Sequence, residues 1–110
     1  MRAVAEDFLA DLKVGAWNAA YSRMHGRLQQ RCGGAAGLRR AVESHGQPAS
    51  WTLRAPKTGE NSATITGTFE PKYDREIAHD PNTIIEMSLD KVDGQWQVWD
   101  WAVGNQSVCG

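Results

Sequence analysis

Asp93-Gly94-Gln95-Trp96-Gln97-Val98-Trp99-Asp100-Trp101 holds three of the chain's five tryptophans behind a two-residue turn signal. The run before it, Thr83-Ile84-Ile85-Glu86-Met87-Ser88-Leu89-Asp90-Lys91-Val92, is rich in apolar and β-branched residues. Asp-Gly between two such runs predicts a β-hairpin, because both central positions of the tight turn need a positive φ. Side chains alternate along a strand, so Trp96 and Val98 are expected on one face, Trp99 and Trp101 on the other. Large apolar groups on both faces mean that both are covered, or that one is offered to a partner.

Working outward, residues 50–55 alternate Trp51, Leu53 and Ala55 against Thr52 and Arg54. Residues 57–61 read as a turn. Residues 62–70 alternate Ala63, Ile65, Gly67 and Phe69 against Thr64, Thr66 and Thr68, the pattern of a half-buried antiparallel strand. A polar connection over 71–82 is long for a hairpin and is a candidate recognition loop. The first half has helical spacing instead. Phe8, Leu9 and Leu12 share a face over 4–14, and Trp17, Ala20, Tyr21 and Met24 share one over 16–25. Residues 27–32 could extend as a short turn. Leu38, Ala41 and Val42 mark a third helix over 35–44, closed by Gly46.

With 110 residues and no linker, repeat or low-complexity tract, the chain is expected to form a single domain over 1–110. Twelve basic and thirteen acidic residues leave a net charge of −1, which gives no electrostatic footprint for nucleic acid. No apolar run approaches the roughly 20 residues of a membrane span. Cys32 and Cys109 leave two readings open: separate small core residues, or one disulfide tying the carboxyl end to the middle of the chain. A bond would place the protein in an exported, oxidising compartment, periplasmic or extracellular. Free thiols would fit the cytoplasm.

Three helices followed by a four-stranded antiparallel meander is an α+β arrangement with the sheet curved around the helices. With Phe8-Leu9 and Leu12, Val14-Gly15-Ala16-Trp17-Asn18-Ala19-Ala20-Tyr21, residues 38–42 and Asp93-Gly94-Gln95-Trp96-Gln97-Val98, the chain resembles the nuclear transport factor 2-like superfamily. That is the cystatin-like cone shared with ketosteroid isomerases and SnoaL-type cyclases. The resemblance spans nearly the whole chain. It implies a pocket between helices and concave sheet, and dimers that pair through the convex face. The short chain and the two cysteines depart from the family's enzymes and look more like an exported bacterial accessory domain.

Projected on that cone, Trp17, Trp51, Phe69, Met87 and Trp96 are candidate pocket residues for a small apolar ligand. Asp100, continuing the Trp96–Val98 face, and Tyr21, on the second helix, are candidate catalytic groups. A carboxylate among apolar side chains could act as a general base. Against this stand a strand that ends or bulges at Asp100, leaving it at the rim with an arginine or backbone partner, and a Tyr21 hydroxyl bonded to a carbonyl. His25 and His45 read as helix-terminal residues favoured by the helix dipole. Ile84, Trp99 and Trp101 on the convex face are candidate interface residues for a homodimer or protein partner, unless the chain's own ends fold over them. Tyr73, Arg75 and His79 are candidate contacts in the 71–82 loop. Glu76, His79 and Asp80 lack a second pair of ligands, so no metal is expected. Gly33-Gly34 has no Lys-Ser/Thr after it, so no phosphate cradle and no cofactor is implied. The functional expectation is a non-enzymatic binding or interaction domain. The alternative is a small isomerase, dehydratase or cyclase.

Overall fold

Asp93 and Gly94 adopt φ values of 50° and 79°, the pair of positive angles that closes a two-residue hairpin. The computed structural model describes residues 1–71, 83–104 and 106–109. Four helices come first: α1 (Arg2–Val14), α2 (Trp17–Ser22), α3 (Gly26–Cys32) and α4 (Ala35–His45). Six strands follow: β1 (Pro48–Leu53), β2 (Lys57–Thr58), β3 (Ser62–Pro71), β4 (Thr83–Val92), β5 (Gln95–Val103) and β6 (Gln106–Ser107). Every ladder is antiparallel, in the order β1-β3-β4-β5-β6 with β2 beside β3. Among the described residues β1 and β6 are not paired to each other, so the sheet is open.

The α+β class is as expected, but the counts of three helices and four strands are corrected. Residues 27–32 are helical because Leu28 and Cys32, four apart, both reach the core. The second helix stops at Ser22 rather than 25, because the backbone beyond it pairs with a strand: Met24 bridges Val98. Lys57 and Thr58, expected in a turn, pair with Thr64 and Ala63.

One face of the sheet packs on the helices. Ala5, Phe8, Leu9 and Leu12 of α1 and Leu38 and Val42 of α4 meet Ala63, Ile65, Phe69, Ile85, Met87, Leu89 and Val98. Among the described residues no polar or charged residue is buried with them. Arg2 donates to the Leu53 carbonyl at 3.1 Å and the Trp51 indole N–H to Glu6 at 2.6 Å, tying α1 to β1.

The alternation expected for 95–101 breaks inside β5. Val98 pairs with Leu89 and Asp100 with Ser88, so Trp99 is one residue more than β4 can oppose. Such a bulge shifts every later side chain to the other face. Trp101 therefore enters the core, 1% exposed, its ring edge-on to Phe8 at 6.0 Å between centroids. Its expected place on the outer face is overturned, and with it its role at an interface. Burying so large a ring contributes roughly 4–6 kcal/mol at 25 cal/mol per Å², which outweighs keeping the strand regular. The same shift takes Asp100 off the face expected for it.

Candidate functional site

The centre of the site is Val98. Its N–H donates to the Arg23 carbonyl at 3.0 Å, and its own carbonyl accepts from the His25 N–H at 2.7 Å. These two bonds dock the α2–α3 connection on β5 as a parallel bridge through Met24. Because the bridge is parallel, the residues before it on both segments come together, and so do those after it.

Ahead of the bridge, Arg23 and Trp96 line an open groove of about 450 Å³ with Val4, Ala19, Ser22 and Gln97. Arg23 is not loose there. Its guanidinium bonds Asp11 at 2.7 Å and lies 3.8 Å from Asp7. The Lys91 ammonium stands 6.0 Å from the Trp96 ring centroid, at the outer limit of a cation–π contact.

Beyond the bridge, His25, Arg27, Asp90 and Trp99 line a smaller groove of about 250 Å³. The bulge sets Trp99 there, half-buried. His25 caps α3: its Nδ1 accepts the Arg27 N–H at 3.1 Å. It was expected to end a helix, and instead it starts one.

The two residues read from the sequence as candidate catalytic groups each have another partner. Asp100 lies 2.6 Å from the Arg31 guanidinium through Oδ1, while Oδ2 accepts from the Ser107 hydroxyl at 3.3 Å. That is the bulged, arginine-partnered arrangement. The Tyr21 hydroxyl donates to the Gln29 carbonyl at 3.4 Å, and Gln29 returns a bond to the Tyr21 carbonyl at 2.9 Å. Neither residue lines the two grooves.

Of the expected pocket residues, Phe69 and Met87 are buried in the core, and Trp17 and Trp51 pack against it half-buried. Trp96 lines the larger of the two grooves described. Ile84 is 58% exposed on the outer face. Tyr73, Arg75 and His79, with the rest of that loop's candidates, lie outside the described residues. Among the described residues no three His, Cys, Asp or Glu side chains are placed to hold a metal ion. Arg23, Arg27 and Asp90 went unnoticed as site residues, because the bridge that gathers them has no sequence signature.

Cys32 and Cys109 form a disulfide, Cα atoms 4.9 Å apart, joining the end of α3 to the segment after β6. Among the described residues no helix is long and apolar enough to cross a membrane. Fold and site thus define a small disulfide-tied α+β domain with an open antiparallel sheet. Compared with protein-family models, curated proteins and solved structures, the chain gives no match.

Proposed function

We propose that this chain is a non-enzymatic binding domain of the nuclear transport factor 2-like kind, working in an exported, oxidising compartment. The observation that carries the reading is the pair of half-buried tryptophans, Trp96 and Trp99, each lining an open groove with an arginine beside it. Tryptophan and arginine in partly desolvated depressions are the usual make-up of binding hot spots. The disulfide supports the exported location. With Trp101 in the core, recognition moves from the convex face expected from the sequence to the two flanks of the Val98 bridge. The catalytic alternative has less support, because both oxygens of Asp100 are engaged by Arg31 and Ser107.

The test is a fragment and short-peptide screen followed by the five indole N–H resonances of ¹⁵N-labelled protein. Binding should move Trp96 or Trp99 and leave Trp101 in place. Turnover of small carbonyl compounds or epoxides, abolished by Asp100→Asn, would replace this reading with the enzyme one.

A further inference from the structure

Resting on that binding reading, we infer that the Trp99 groove is a site for a small zwitterion of the class of a free α-amino acid. Size comes first. At about 250 Å³ the groove is below the roughly 300–1,000 Å³ typical of pockets for drug-sized ligands, so its occupant is small.

Charge narrows the class. Arg27 and Asp90 line the same groove, yet no ion pair joins them among the described residues. A ligand with one charge would satisfy one of these groups and face a like charge in the other. A ligand with both satisfies both.

The donors among the lining residues suit a carboxylate. His25 Nδ1 is occupied as the acceptor of the Arg27 N–H, so the ring proton of the neutral imidazole sits on Nε2 as a second donor besides the guanidinium. Asp90 offers only acceptors, as an ammonium group requires. The Trp99 ring, displaced by the bulge, gives an aromatic wall for an apolar side chain and a π face for the ammonium. The Val98 bridge fixes His25 relative to the strand that carries Trp99, so both walls are held by backbone hydrogen bonds.

The experiment titrates ¹⁵N-labelled protein with L-leucine, L-leucinamide and N-acetyl-L-leucine, reading the Trp99 indole N–H, which a Trp99→Phe variant assigns. L-leucine should move it, and each single-charge analogue should bind about tenfold more weakly, the loss of one charge-assisted contact. Asp90→Asn should weaken L-leucine and leave N-acetyl-L-leucine no weaker, since it removes the like charge that the anion faces. Arg27→Gln should weaken L-leucine and leave L-leucinamide no weaker, since it removes the like charge that the cation faces. Equal binding of all three compounds overturns the inference, as does a Trp99 signal that none of them moves. If Trp96 still responds to fragments or peptides in that case, the broader binding reading survives. Silence of both indoles to every compound removes both.

Discussion

Arg31 and Asp100, 69 residues apart in sequence, meet at 2.6 Å one position before Cys32 on α3, where the disulfide to Cys109 also joins that helix to the chain's end. The ion pair sits 40% and 25% exposed at its two side chains, so water screens much of its Coulomb energy. A double-mutant cycle with Arg31→Gln and Asp100→Asn should give a coupling no larger than about 1 kcal/mol by urea unfolding. A much larger value would mean that Asp100 does more than close this corner.

The disulfide should matter more. It closes a loop across a sequence separation of 77 residues, which in the chain-entropy treatment stabilises the fold by about 4 kcal/mol. Thermal unfolding with and without a strong reductant should separate clearly, and Cys32→Ser with Cys109→Ser should match the reduced protein. Non-reducing mass spectrometry should find no free thiol.

Trp99 and Trp101 should respond in opposite ways to truncation. Trp101→Ala removes a ring packed on Phe8 and should lower stability by about 3–5 kcal/mol. Trp99→Ala removes a ring that is only partly buried and should lower it by clearly less than Trp101→Ala does, while abolishing the response of the smaller groove. Trp101→Phe is expected to fall well short of the alanine loss, since it also removes an indole N–H that is buried without a hydrogen-bond partner among the described residues. Denaturant midpoints of the three variants check the order.

Gly37 offers a case where two effects point in opposite directions. Alanine in a helix interior is favoured over glycine by about 1 kcal/mol. A Cβ on Gly37, however, would run into the backbone carbonyl of Cys32, where α4 crosses the end of α3. Backbone cannot step aside as a flexible side chain can, so Gly37→Ala should be net destabilising by about 1–3 kcal/mol. A rise in melting temperature would show that the two helices are packed less closely than the structure has them.

Much of this architecture is legible in the residues. The hairpin is readable because Asp93-Gly94 suits two consecutive positive φ angles. Strand β3 is readable because threonines alternate with apolar residues over its length. The disulfide was one of two open readings, since cysteine count and position cannot measure a distance. Two features escaped for separate physical reasons. Helix α3 has seven residues, too few for a periodic stripe to stand out. Strands β2 and β6 have two residues each, below any alternation signal. The bulge was one of the readings left open at Asp100, because Trp96, Trp99 and Trp101 satisfy either phase of the strand and only the ring of Phe8 decides which tryptophan goes inside. The candidate site inherits that last ambiguity, since every side chain after Val98 depends on it.

The disulfide also sets how the domain would bear a load. The chain from Cys32 to Cys109 is a covalent ring that contains α4 and the whole sheet. Tension applied ahead of residue 32 and beyond residue 109 enters and leaves that ring at the two sulfurs, so the strand ladders never carry it. Residues 1–31, ahead of Cys32, lie outside the ring and can be drawn out to roughly 100 Å at about 3.3–3.6 Å per residue. Single-molecule stretching of the oxidised protein reads that limit directly. A domain built this way would let its helices α1 to α3 yield to force while its sheet stays folded.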